Sequence, residues 1–173
     1  MSATPEPPPT AARPAFDPVR QLELVRRELA RRSFCVLATS SPANRPHAVG
    51  LLYAAVGLDV YLLIGTDTVK ARNIRANPQV AISVPVRKYP AGPPMAVQFQ
   101  GTAQLLEPGD PHIAELLRAG RLKRIASYGA ADKPGIVFVR VTPNRRISSY
   151  GLGVPLLRLL RDVSQGARSV ELP

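Results

Sequence analysis

Residues 60–73 read VYLLIGTDTVKARN, so a short apolar run passes directly into a segment that begins like a helix. The first N–H groups of a helix have no partner within it, and the helix dipole is positive at that end. Thr66, Thr68 and Lys70 stand at this junction and offer two hydroxyl groups and a full positive charge. The stretch therefore predicts a phosphate-binding strand–helix junction. A capped surface helix with solvated Lys70 and Arg72 has the same pattern, so both interpretations stay open at this point.

Short β-rich runs separated by turn residues surround this stretch. Six of them are predicted to be strands: residues 34–39, 47–55, 60–65, 80–84, 95–106 and 135–141. Residues 40–46 predict a hairpin loop, and residues 56–59 predict a turn between neighbouring strands. We therefore expect a mainly β fold with short helices, built on a largely antiparallel six-stranded sheet or barrel.

Helical patterns flank and interrupt the strands. Asp17 as cap and Pro18 in the first turn predict a helix that ends near Arg32. Its apolar face is predicted to contain Val19, Leu22, Val25 and Leu29. Further helices are predicted over residues 68–76 and 111–119, the latter capped by Asp110. An amphipathic piece at residues 156–161 is too short to be stable alone, so we expect it to pack on its own barrel or on a partner chain.

The length of 173 residues and an apolar share of 45% fit a single globular domain. Residues 1–16 hold five prolines and predict a disordered arm. No apolar run approaches the roughly 20 residues that span a bilayer, and the first residues lack the order of a signal peptide. We therefore expect a cytoplasmic protein with no membrane partner. Cys35 lies in an apolar run and is predicted to be a buried small hydrophobe.

Several kinds of chemistry leave no trace in the sequence. There is no G-x-G-x-x-G segment, no phosphate-binding P-loop and no G-x-S-x-G elbow. His47, His112 and Cys35 are too few for a metal site, so we expect no metal. The net charge of +11 suits an anionic partner, but the strands lack the exposed aromatic residues of a base-stacking surface, so we expect no nucleic acid. An enzyme that delegates its chemistry to a bound cofactor fits this pattern, and its catalytic residues stay unknown. Tyr53, Tyr61 and Tyr150 are the phenols considered as proton donors.

Four segments resemble the pyridoxamine 5'-phosphate oxidase-like split barrels, a family that includes flavin- and deazaflavin-dependent oxidoreductases. The resemblance covers about residues 22–151 and is carried by residues 34–39, 45–49, 70–80 and 98–103, of which the third segment is the most specific. The chain has no tryptophan, whereas true pyridoxamine phosphate oxidases have a tryptophan-containing C-terminal motif. We therefore do not expect that specific activity.

The resemblance implies a six-stranded antiparallel split β-barrel over residues 17–151, followed by a helical tail over residues 152–173. It further implies a homodimer with the cofactor at the subunit interface and its phosphate at the strand–helix junction. The residues implied to bind the cofactor are Pro46, His47, Val49, Thr66, Thr68, Lys70, Arg72, Asn73 and Gln100. Of these, Lys70, Thr66, Thr68 and Asn73 would face the phosphate, and Gln100 or Gln98 would approach the ring from the partner subunit.

The resemblance favours an oxidoreductase that transfers a hydride between a bound cofactor and a small organic substrate. F420 is preferred over FMN, because the Arg-, Ala- and Pro-rich composition resembles that of high-GC actinobacterial proteins. The acidic tail of F420 would also meet basic residues near the groove, namely Arg45, Arg72, Arg75, Arg87 and Lys88. The alternative is a non-catalytic split barrel that binds flavin, heme or another tetrapyrrole.

Overall fold

The computed structural model describes residues 16–87, 93–127, 131 and 133–172. Most of the predicted arm and Lys88 lie outside these residues. Strands, in chain order, are β1 Phe34–Ser40, β2 Pro46–Val56, β3 Asp59–Gly65, β4 Gln79–Val86, β5 Met95–Leu106, β6 Ile136–Tyr150 and β7 Ala167–Glu171. Helices are α1 Pro18–Arg31, α2 Val69–Ala76, α3 Pro111–Arg118, α4 Lys123–Ala126 and α5 Leu156–Arg161, and α5 leads into a 3-10 turn at Val163–Gly166.

The strands form one antiparallel sheet in the order β3-β2-β1-β4-β5-β6-β7. An additional pairing of β3 with β6 closes the first six strands into a barrel and leaves β7 as an extra strand beside β6. The predicted six-stranded antiparallel barrel is therefore confirmed. The predicted turn at residues 56–59 is also confirmed, and Gly57 supplies its positive φ of 67°.

The barrel encloses the main core. Inward-facing side chains such as Leu37, Leu62, Val97 and Val139 are fully buried, which gives the strands their alternating pattern. A second apolar cluster lies on the outside of the barrel, where α3 and α4 cover Tyr61 and Phe138. Cys35 is buried as predicted, and burial raises the pKa of its thiol to about 12.

Helix α1 begins as predicted, because the Asp17 carboxylate accepts the N–H groups of Val19 and Arg20. Its buried face differs from the prediction. Val19 is 72% exposed, whereas Gln21 is buried and donates from Nε2 to Ser149 Oγ (2.8 Å). The contacting face is therefore centred on Gln21, Val25 and Leu29, which follow one another at a spacing of four. A glutamine is accepted there because Ser149 and the Leu152 carbonyl satisfy its amide.

The C-terminal part of the barrel contains elements that the sequence did not predict. Strand β6 continues to Tyr150, nine residues beyond the predicted end at Val141, and β7 and α4 were not predicted at all. The prediction stopped early because Pro143 and three polar residues interrupt the alternating pattern. The predicted tail helix exists as α5 and packs on its own chain through Leu159, while Leu157 and Leu160 remain exposed. No helix among the described residues is long and apolar enough to cross a membrane.

Candidate functional site

The N-terminus of α2 is held in place by its cap residue. Thr68 Oγ1 donates to the Gly65 carbonyl (2.7 Å) and accepts the N–H of Ala71 (3.4 Å). The N–H groups of Val69 and Lys70 have no hydrogen-bond partner within the part of the chain that the structure describes. The predicted junction therefore exists: strand β3 ends at Gly65, and four residues later a capped helix presents free N–H groups.

Three cations surround the turn between β3 and α2. Arg72 Nη1 donates to the Asp67 carbonyl (2.7 Å), and Arg75 Nη1 donates to the Thr66 carbonyl (2.8 Å). Lys70 is half-buried and has no hydrogen bond or ion pair with any described residue. Asp67 is the one carboxylate in the turn, so the turn and the first two helical turns carry an excess of positive charge.

Asn73 lies one turn further along α2 and is buried. Its amide Nδ2 donates to Thr39 Oγ1 (3.0 Å), and that hydroxyl in turn donates to the His47 carbonyl (3.4 Å). The side chain is therefore directed at the end of β1 instead of lying free beside Lys70. We assign Asn73 a positioning role, because it fastens the helix that carries Lys70 to the β1–β2 strand pair.

Strand β2 has a free backbone edge over residues 46–52 among the described strands. Residues 46–52 of β2 pair with β1 on one side, whereas residues 53–56 pair with β3 on the other. The barrel is thus split along the outer edge of residues 46–52, among the strands that the structure describes. The three predicted residues of this strand point to two faces: Pro46 is exposed on the outside, whereas His47 and Val49 are half-buried on the barrel side, where Val49 packs against the core.

Gln100 lies apart from the phosphate junction, in a cleft of about 900 Å³ on the outside of the sheet. Side chains from β1, β4, β5, β6 and β7 line this cleft, and they include Val36, Ala38, Ser83, Gln98, Asn144, Arg145, Arg146 and Glu171. The structure therefore places the nine predicted residues in two regions, with Gln100 in the cleft and the others around α2 and β2. Sequence reasoning did not assign Asn144, Arg145 and Arg146 to a site, because the predicted strand ended before them.

All three tyrosines considered as proton donors have internal partners. Tyr53 donates to the Leu29 carbonyl (2.8 Å), Tyr61 contacts His112 Nε2 (2.7 Å), and Tyr150 donates to the Val163 carbonyl (3.1 Å). Burial is the main cause of the raised pKa values of Tyr53 and Tyr61. These hydroxyls hold α1, α3 and the 3-10 turn against the barrel. Among the described residues no group of His, Cys, Asp and Glu side chains is arranged to hold a metal ion.

The fold and the α2 junction together define a split-barrel protein in which a capped helix presents free N–H groups and Lys70. Comparison with known families agrees: residues 22–149 match the model of the pyridoxamine 5'-phosphate oxidase family. The chain therefore belongs to the pyridoxamine 5'-phosphate oxidase family, as its resemblance predicted. No curated protein sequence matches the chain.

Solved structures similar to this chain differ in what they bind. An F420 reductase is 28% identical, with a TM-score of 0.51 over 68% of this chain and 91% of that chain. A heme binding protein from Mycobacterium smegmatis is 19% identical, with a TM-score of 0.68 over 93% of this chain and 60% of that chain. HutZ, the heme storage protein of Vibrio cholerae, is 20% identical, with a TM-score of 0.65 over 75% of this chain and 94% of that chain. The similar structures thus include one protein named for F420 and two named for heme.

Proposed function

We propose that this protein is an oxidoreductase that binds F420 or FMN, with the cofactor's phosphate at the N-terminus of α2. One observation carries the proposal: Lys70 is half-buried beside free helical N–H groups and has no carboxylate partner among the described residues. An ammonium group in such a position is stabilised by an anion, and a phosphate also satisfies the free N–H groups.

The surrounding residues fit a phosphate-bearing cofactor. Thr66 places a hydroxyl group in the turn, whereas the Thr68 hydroxyl proton is already donated to the Gly65 carbonyl, so Thr68 acts as the cap of the helix. The carbonyl contacts of Arg72 and Arg75 use one nitrogen each, which leaves further donors for an anion. The free edge of residues 46–52 offers unpaired backbone groups to a planar ring. When bound, a flavin or deazaflavin supplies hydride transfer, and the protein supplies orientation, charge and exclusion of water.

We further propose that the protein is a homodimer and that the outside of β1 and β2 forms its interface. Phe34 and Leu52 are cross-strand partners on this face, and they are 46% and 43% exposed. The neighbouring Ala48 and Gly50 are small and exposed, so the surface is flat and apolar and suits close approach of a second copy. Gln100 of the cleft would then stand near the partner's cofactor.

F420 is preferred over FMN because the junction carries more positive charge than one phosphate needs. Arg72 and Arg75 flank Lys70, and the acidic tail of F420 provides carboxylates for them. The F420 reductase among the similar structures supports this preference. A carrier or storage protein for heme is the second candidate, and the two heme-binding structures of the same fold favour it.

Titration of the purified protein with F420, FMN and hemin, followed by absorbance and fluorescence at two salt concentrations, tests the proposal. Stoichiometric binding of F420 or FMN that weakens with salt is the expected result, because the phosphate contact is electrostatic. Binding of hemin alone would overturn the proposal in favour of the carrier. Turnover of the reduced cofactor with a panel of small acceptors then separates an enzyme from a flavin-binding protein without activity.

A further inference from the structure

The C-terminal ends of α1 and α3 meet beside α4, on the outside of the barrel. Arg124 of α4 donates from Nη1 to the carbonyl groups of Ala30 and Arg32, which lie at the end of α1. The turn between α3 and α4 is closed by hydrogen bonds from the N–H groups of Gly120 and Arg121 to carbonyl groups of α3. The two helix ends and α4 therefore form one continuous surface.

Five exposed arginines lie on this surface, which we call the α1–α4 arginine surface. They are Arg27 and Arg31 of α1, Arg118 at the end of α3, Arg121 of the turn and Arg124 of α4. None of the five has an ion pair with a described residue, and only Arg124 donates a side-chain hydrogen bond to one. The surface thus carries concentrated positive charge that the described part of the chain does not neutralise.

The helix dipole accounts for only part of this cluster. Arg31 and Arg118 are the last residues of their helices, where the negative end of the dipole stabilises a cation. Arg27 lies one turn before the end of α1, and Arg121 follows α3, so neither is in a last helical turn. Arg27 and Arg31 are also four residues apart on one helix, and like charges at this spacing destabilise a helix. The folded chain alone therefore gains little from the arrangement, whereas an anionic partner would be stabilised by it.

Neither a second copy nor the preceding segment of the chain is a suitable anionic partner. Two copies that met through this surface would place arginines against arginines, and like charges across an interface are unfavourable. Residues 1–15 precede the described residues and contain one acidic residue, Glu6, together with the basic residue Arg13. The partner is therefore expected to be another molecule.

The side chains around the arginines favour a protein over a membrane or a nucleic acid. Helices α3 and α4 expose no large apolar side chain for insertion into lipid, and they contain no Phe, Tyr or Trp on which a base could stack. Glu115 is exposed three residues before Arg118, and Glu28 pairs with Arg32 at the edge of the surface. These carboxylates repel a uniformly negative phosphate backbone, whereas a protein can meet them with cations of its own.

We propose that the α1–α4 arginine surface binds the acidic face of a protein partner, whose Asp and Glu carboxylates accept hydrogen bonds from the guanidinium groups. Arginine suits this contact because its planar group can donate two parallel hydrogen bonds to one carboxylate. Without large exposed apolar side chains on α3 and α4, the contact is electrostatic, transient and sensitive to salt. It does not involve the cofactor, so it stands or falls separately from the proposed function.

Fluorescence anisotropy of the full chain with two labelled helical peptides tests the proposal. One peptide carries glutamates along one face, and its matched version carries glutamines at the same positions. The unmodified protein is expected to bind the Glu peptide about tenfold more tightly than the Gln peptide at low salt and to lose most of this preference at high salt. The double variant Arg31→Gln/Arg121→Gln is expected to weaken binding of the Glu peptide about fivefold, as the loss of two exposed ion pairs implies.

Arg20→Gln/Arg161→Gln is the matched control, because it removes the same charge at two exposed arginines outside the surface. It is expected to bind the Glu peptide within about twofold of the unmodified protein, and circular dichroism verifies that each variant is folded. Equal affinities for the two peptides, or equal losses in the two double variants, would overturn the proposal. Tighter binding of a short DNA duplex or of phosphatidylglycerol vesicles than of the Glu peptide, reduced by Arg31→Gln/Arg121→Gln, would also overturn it and assign the surface to a nucleic acid or a membrane.

Discussion

The Asn73 side-chain amide donates a hydrogen bond of 3.0 Å to Thr39 Oγ1, and both side chains are buried. This contact joins the helix that follows β3 to the end of β1, and the Thr39 hydroxyl extends it to the His47 carbonyl of β2. Together with Ala71 and Ile74, which are buried in the core, this amide fixes the position of the helix that carries Lys70.

Asn73→Ala is expected to lower the free energy of unfolding by about 1 to 3 kcal/mol, because it leaves the buried Thr39 hydroxyl with one partner fewer. Urea unfolding at neutral pH measures the loss. Gln104→Ala removes an exposed amide that has no hydrogen bond with a described residue and is expected to stay within about 0.5 kcal/mol of the unmodified protein. An equally small effect of Asn73→Ala would show that the contact does not hold α2 in place.

Gly101→Ala is expected to destabilise the barrel by about 1 to 3 kcal/mol. A Cβ atom at Gly101 would lie 2.6 Å from the Thr142 carbonyl oxygen and 2.9 Å from Val141 Cγ1. Strand β6 must therefore shift next to the point where its register with β5 is irregular, between Phe99 and Gly101. Gly109→Ala is the control, since a Cβ atom there meets nothing within 4 Å. Thermal unfolding of the two variants side by side checks this expectation, and matching midpoints would contradict it.

Alkaline pH is expected to destabilise the protein partly through Cys35. Burial raises the pKa of this thiol from 9.0 to about 12, so the folded chain keeps a proton that the unfolded chain loses. Above pH 9 the unfolded state therefore binds fewer protons, and stability falls by up to about 1.4 kcal/mol per pH unit for this group. Urea unfolding between pH 8 and pH 10.5 is expected to show a shallower decline in Cys35→Ala than in the unmodified protein. Identical slopes would mean that the thiol does not contribute.

Leu52→Asp is expected to halve the molar mass measured by light scattering, because it places a charge in the proposed dimer interface beside Phe34. Leu157→Asp introduces the same charge at a leucine of α5 that is 72% exposed. This control is expected to keep the mass of the dimer. A monomeric mass for the unmodified protein would show that there is no dimer. An unchanged mass for Leu52→Asp would show that the interface lies elsewhere.

The sequence predicts the barrel well because its signals are local. Alternating apolar residues in β1 to β5 and the caps at Asp17 and Asp110 each act within a few residues, and the structure confirms them. The sequence does not predict features that depend on contacts between distant residues. Gln21, for example, can be buried because Ser149, 128 residues away, accepts its hydrogen bond. The cleft was not predicted for the same reason. Asn144, Arg145 and Arg146 line it where the register between β5 and β6 shifts, and such a shift depends on the pairing of distant residues. The strand–helix junction itself was predictable as a motif, whereas the hydrogen bond from Asn73 to Thr39 was not.

The most direct test of the account is the affinity of Lys70→Ala for the cofactor that the unmodified protein binds, compared with that of Lys123→Ala. Lys123 is an exposed lysine in the first turn of α4 and carries the same charge away from the junction. If Lys70 meets the phosphate, its removal weakens binding by about 1.5 to 3 kcal/mol, roughly ten- to a hundredfold, and Lys123→Ala binds like the unmodified protein. Equal affinities of the two variants would contradict the assignment of the phosphate to the N-terminus of α2.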